Sequence, residues 1–192
     1  EGRGSKTFSI AKKALYADSE FSHKLLQKIT DSTIAYLKAQ IAAGANLVQL
    51  FDSWAGILSP AQYREYSLPY IKQICDAISE VPVTVFAKGA FFARQEIGKL
   101  NCSVVGLDWN MDPAESRILI PEKTLQGNLD PCVLYASYSQ IRIEVRKMIE
   151  TFGSQRYIAN LGHGVYPDTN PDKVRCFIES VKEYSESRAQ TV

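Results

Sequence analysis

The segment Tyr157-Ile158-Ala159-Asn160-Leu161-Gly162-His163-Gly164-Val165-Tyr166-Pro167-Asp168 sets a histidine between two glycines, directly after a run of strand-forming residues. An imidazole changes charge near neutral pH, and neighbours without Cβ let a ligand approach it closely. The same spacing also makes a plain tight turn with His163 as a satisfied loop residue, so the motif alone leaves both readings open. Four more polar groups stand where an apolar run stops: Asp52-Ser53, Lys88-Gly89, Asp108-Trp109-Asn110 and Asn128-Leu129-Asp130. Asp52 and Asp108 read first as caps of following helices. Lys88 reads as a solvated or paired rim charge, and Asn128 and Asp130 before Pro131 as an Asx-type turn. Ser53 has no G-x-S-x-G frame and no histidine beside it, which points to hydrogen bonding rather than nucleophilic attack.

The elements that must present these groups alternate. Helical spacing covers Ser9 to Ala17 and Phe21 to Ala43, with Leu25, Leu26, Ile29, Ile34, Leu37 and Ile41 near one stripe. Five short apolar strands follow: Asn46–Phe51, Val83–Ala87, Val104–Leu107, Thr124–Asn128 and Tyr157–Leu161. Helices are expected after them at Ser59 to Ala77 with Ser59 as N-cap, around Phe92 to Leu100, from Pro113, from about Ser139 to Phe152, and from Lys173 to Tyr184. Strands separated by helices give a parallel sheet, either doubly wound or closed as a (β/α)8 barrel. An open sheet gathers its site at one switch point, whereas a barrel brings every strand end to one mouth. All five strands here end in polar or glycine-containing loops, which favours the barrel; five units do not close one, so about three more are expected before Glu1.

With 45% hydrophobic residues over 192 positions, the chain is expected to bury a sizeable core as a single domain or a large part of one. Its 22 Lys+Arg balance 21 Asp+Glu, so no global field attracts nucleic acid or an anionic membrane, and an anionic ligand must be met by local groups. No apolar run approaches the ~20 residues that span a bilayer, and no leader pattern opens the chain, so the cytoplasm is the default compartment. Cys75, Cys102, Cys132 and Cys176 are widely spaced and read as isolated buried thiols rather than zinc or redox pairs. The opening Glu1-Gly2-Arg3-Gly4-Ser5, without methionine, reads as the start of a piece of something longer.

Four segments, Leu50-Phe51-Asp52-Ser53-Trp54-Ala55-Gly56, Val105-Gly106-Leu107-Asp108-Trp109, Leu125-Gln126-Gly127-Asn128-Leu129-Asp130-Pro131 and Asn160-Leu161-Gly162-His163-Gly164, resemble those of the uroporphyrinogen decarboxylase family in order and spacing across nearly the whole chain. Residues Glu1 to Ser5 look like that family's loop after its third barrel strand, so 1–192 corresponds to the C-terminal portion of the barrel. The resemblance implies a cytoplasmic, homodimeric (β/α)8 enzyme of porphyrin and heme biosynthesis. Such an enzyme removes the carboxyl groups of the four acetate side chains of uroporphyrinogen III to give coproporphyrinogen III, with no metal or organic cofactor.

Matched by position, the resemblance makes His163 the residue that faces substrate and binds a carboxylate or shares in proton transfer. It makes Ser53 a hydrogen-bond donor to a substrate carboxylate and Phe51 an aromatic of the cleft wall. The family's carboxylate-holding arginines, its pyrrole-binding aspartate and a cleft tyrosine all fall before Glu1. The isolated chain is therefore expected neither to close its barrel nor to turn over usefully. Two rivals stand beside this reading: an inert half-barrel that only binds or dimerises, and a cobalamin-linked methyltransferase of the same superfamily. The second needs an H-x-C zinc ligand pair, whereas Val165 stands two residues after His163.

Overall fold

The computed structural model describes residues 7–153 and 155–189; the expectation for Glu1 to Ser5 lies outside them. Helices α1 (Ser9–Ala17) and α2 (Ser19–Ala42) come first, parted by Asp18, whose side chain accepts the Phe21 amide and caps α2. Of the expected α2 stripe, Leu37 is buried and Ile34 and Ile41 pack on the core, while Leu25 and Ile29 are exposed.

The sheet then alternates with helices as the sequence predicts. Strands β1 (Val48–Asp52), β2 (Val83–Ala87), β3 (Val104–Gly106), β4 (Thr124–Leu129) and β5 (Tyr157–Leu161) are separated by α3 (Pro60–Tyr66) with α4 (Leu68–Ala77), by α5 (Arg94–Gly98), by α6 (Pro113–Leu119) and by α7 (Tyr138–Phe152). The last helix, α8, is Pro171–Ala189. Ser59 caps α3 in a capping box with Gln62, with Pro60 in the first turn. The single helix expected from Ser59 to Ala77 is two. At Ser67 the backbone leaves helical geometry, and Pro69 in the first turn of α4 has no N–H to continue the ladder. The helix expected around Phe92 to Leu100 is a 3-10 turn, Phe91–Ala93, leading into the short α5.

All four strand pairings are parallel, and the spatial order is the chain order, β1-β2-β3-β4-β5. A doubly wound sheet reverses its order at a switch point; this one never does, so every crossover proceeds in the same direction. Alternate residues divide between two faces. Val48, Val83, Val85, Val105 and Leu125 join the main hydrophobic core with the helices. On the opposite face, Phe51, Phe86, Gly106, Gln126 and Ile158 form one row in register.

That second face is concave. Gln126 on β4 donates its amide to Gln49 Oε1 on β1 at 3.3 Å, although the two strands are three spacings apart, ~14 Å in a flat sheet. His163, just past β5, stacks on Phe86 of β2 with ring centroids 6.2 Å apart across the same number of strands. Only a sheet curling toward closure brings such side chains together. The architecture is therefore α/β and of barrel type, with five β/α units of the eight a (β/α)8 barrel contains.

Candidate active site

The mouth is built on backbone clamps at the C-terminal strand ends. Asp108, at the end of β3, has no exposed surface. One carboxylate oxygen accepts the Gly89 amide from the β2 loop, and the other accepts the Asn110 amide at 2.9 Å. The Asn128 side-chain amide, at the end of β4, donates to the carbonyls of Asp108 (2.9 Å) and Met111 (2.7 Å). Together these bonds tie the ends of β2, β3 and β4 into one unit, with a buried carboxylate satisfied by oriented N–H groups. The structure thus corrects two expectations. Asp108 does not cap the next helix, a task that falls to Asp112, which accepts the Glu115 amide at 2.7 Å. Nor is Asn128 an Asx turn; Asp130 is, accepting the Cys132 amide at 2.8 Å.

Asp52 also turns away from the mouth, accepting a hydrogen bond from Ser67 Oγ at 2.8 Å where α3 gives way to α4. Burial raises its pKa, against the opposing pull of the Ser67 bond.

The two glycines around His163 have different reasons. A Cβ at Gly162 would lie 2.5 Å from the Trp109 amide nitrogen, and the Gly162 amide itself donates to the Leu129 carbonyl at 2.7 Å. Gly162 is therefore needed for close packing of the β5 end on the β3 loop. A Cβ at Gly164 would meet nothing within 4 Å, so no close packing requires glycine there. Between them His163 is half-buried, its ring nearly parallel to Phe86 and 6.2 Å from the Trp109 ring. Phe86 in turn meets the edge of Phe51, with centroids 6.2 Å apart. Burial lowers the pKa of His163, Lys88 lowers it further, and Asp108 pulls it upward. The imidazole is thereby biased toward the neutral form, able to donate from one nitrogen and accept at the other.

Phe51 and His163 both line one cavity of about 200 Å³, with Gln49, Phe86, Gln126 and Asn160. Phe51 is 65% exposed, although it is a large apolar side chain on a strand. Ser53 stands on the same rim, one residue past β1, but does not line that cavity. Of the neighbours of His163, the sequence reading places Lys88 and Trp109 at strand ends without linking them to the histidine, and it gives Phe86 no role. The alternation Thr84, Phe86, Lys88 along β2 was the available signal, since residues two apart share a face.

Three of the cysteines are buried as expected, with burial pushing the Cys75 thiol up to about 12, but Cys132 is exposed at the start of the 3-10 turn after β4. Among the described residues no three His, Cys, Asp or Glu side chains gather as metal ligands, and no helix is long and apolar enough to cross a membrane.

A curling parallel β/α sheet whose strand ends converge on a half-buried histidine and an aromatic wall belongs to the β/α-barrel class of proteins. Within it, the chain is a member of the uroporphyrinogen decarboxylase family, whose family model matches residues 1–184. It is 47% identical to uroporphyrinogen decarboxylase of Christiangramia forsetii over 97% of this chain and 55% of that protein. The Schizosaccharomyces pombe and Homo sapiens enzymes of that name are 46% and 43% identical, each over 96% of this chain. The chain spans about half the length of these curated relatives. Among solved structures it is similar to a methyltransferase from Methanosarcina mazei, with a TM-score of 0.80 at 16% identity over 91% of this chain and 52% of that one. A B12-independent methionine synthase from Shewanella follows with a TM-score of 0.63. At such identities these two share the fold alone.

Proposed function

We propose that residues 1–192 are the C-terminal portion of a single barrel domain that decarboxylates the four acetate side chains of uroporphyrinogen III to coproporphyrinogen III. The enzyme would be a cofactor-free carboxy-lyase of heme biosynthesis, acting in the cytoplasm as a homodimer. The observation that carries the reading is His163 seated on Phe86 beside Phe51, at the strand-end mouth of a chain with this family membership. The cavity these residues line is smaller than the roughly 300–1,000 Å³ of ordinary ligand pockets, in keeping with one wall of a larger cleft.

The chemistry needs an electron sink but no added cofactor. A proton added to the pyrrole carbon next to the acetate-bearing carbon makes the ring cationic. The bond to the carboxylate then breaks, CO2 leaves, and its electron pair neutralises the ring. A second proton converts the resulting exocyclic methylene to methyl as the first proton departs. Each cycle consumes one proton and releases one CO2. The protein's part is to orient the macrocycle, stabilise the cationic ring and handle protons. His163, biased toward its neutral form, is suited to hydrogen-bond a substrate carboxylic group or to pass a proton. Phe51 and Phe86 offer flat apolar surface to the macrocycle, and Ser53 is assigned a hydrogen bond to a carboxylate at the rim.

For residues 1–192 taken alone, β1 and β5 are unpaired edges among the described residues, which favours an inert piece. The test uses the complete natural protein that carries this sequence, incubated anaerobically with uroporphyrinogen III, with products oxidised and separated by carboxyl number. Stepwise loss of the four acetate carboxyls is expected; a protein that leaves all of them in place sinks the reading. Sedimentation of the same protein tests the dimer.

A further inference from the structure

We propose that Lys88 is a substrate-binding residue, the cation that receives one carboxylate of the anionic macrocycle at the barrel mouth beside His163. The inference rests on the decarboxylase reading above and adds to it a group of this chain's own. Lys88 follows β2 directly, two residues past Phe86; like Ser53 it stands at the rim rather than in the lining of the cavity that holds Phe86 and His163. Its backbone is held on both sides: its amide donates to the Asp52 carbonyl at 3.0 Å, and its carbonyl accepts from Gly56 at 2.9 Å. The ammonium sits 5.2 Å from the centre of the Trp109 ring, the same ring that neighbours His163. Aromatic and backbone contacts thus fix where the charge points, while its ion-pairing capacity is left unused.

That contrast is local. Arg94, a few residues on, is spent on Glu115 and Ser116, whereas Lys88 has no ion pair or side-chain hydrogen bond among the described residues. Among the described residues the other charge acting on His163 is Asp108, and both its oxygens are already engaged by backbone amides. An ammonium over an aromatic ring, on a half-buried lysine beside a histidine at the rim, suits an incoming carboxylate. On arrival the carboxylate would also offset the positive field of Lys88 on His163, easing protonation of the imidazole as substrate binds.

The test uses the complete protein with uroporphyrinogen III. Lys88→Gln is expected to raise KM about tenfold, the order of one lost charge-assisted hydrogen bond, with kcat within about twofold. Lys88→Arg keeps the charge and should hold KM within about threefold of wild type. In Lys88→Gln, NMR should also show His163 titrating at higher pH than in wild type. An unchanged KM in Lys88→Gln, or an arginine variant as impaired as the glutamine one, overturns the assignment. Should Lys88→Gln fail to fold, the wild type decides: after reductive methylation, the Lys88 signal, assigned with Lys88→Arg, should shift when coproporphyrin III is added, and a signal that stays put overturns the proposal. A wild-type protein without turnover defeats the decarboxylase reading instead, so the two failures are told apart.

Discussion

The two faces of the sheet obey different rules although they belong to the same strands. On the helix-covered face, Val85 and Leu125 are fully buried and join one aliphatic core. On the concave face the row in register is aromatic and amide: Phe51, Phe86, Gly106, Gln126, Ile158. Within it Phe86 and Gly106 are buried, but the ends at β1 and β5 are open, with Phe51 65% and Ile158 41% exposed. The first face is arranged for stability. The second holds polar amides and unpacked aromatic surface that a core would not select, which is how binding walls differ from cores.

Substitution on each face separates these roles. The largest effect is expected for Leu125→Ala, which should cost the complete protein about 2–5 kcal/mol in urea unfolding; a loss under about 1 kcal/mol would break the distinction. On the mouth side, His163→Gln should lower kcat/KM roughly a hundredfold with stability nearly unchanged, and NMR should place the His163 pKa below its ordinary 6.5. Because that folded pKa is depressed, its contribution to stability is present above 6.5 and lost as pH falls through the folded value. Phe51→Ala should raise KM several-fold while moving the unfolding midpoint of the complete protein little; a large destabilisation would make it a core residue instead. The smallest effect is at Asp52, whose pKa is raised. Its stabilising contribution is present below the ordinary 3.8 and lost as pH rises through the folded value, so Asp52→Asn should unfold at slightly higher urea than wild type at neutral pH and lose that gain in acid.

The strands β2 and β5 were legible to the residue because apolar runs there are bounded by Pro82 and by Gly162. Ser59-Pro60 marked the start of α3 for the same kind of local reason. The break at Ser67 has a local signal in Pro69 that the single-helix expectation passed over, whereas the Ser67 hydrogen bond to Asp52, fifteen residues away, is reported by no period. At the site, His163 announced itself through its glycines and Phe51 through the family resemblance. Asp108 looked like a helix cap because its partners, Gly89 and Asn128, come from two other strands. The reading of Lys88 as a rim charge is untested by the structure; what the sequence does not show is the Trp109 ring beneath it and His163 nearby, which meet only when β2 and β5 curl toward each other.

Trp109 gives the mouth an optical property of its own. The chain has two tryptophans, and Trp54 lies outside the His163 cluster, tilted against Phe8 and largely exposed. Trp109 lies between Lys88 and His163. In a Trp54→Phe background the indole emission of this part of the protein arises beside His163 and Lys88, where the proposed substrate would sit. An oxidised porphyrin seated there absorbs in the near ultraviolet and should extinguish that emission by energy transfer. Occupancy of the cleft can then be followed by eye of the fluorimeter, without any added label.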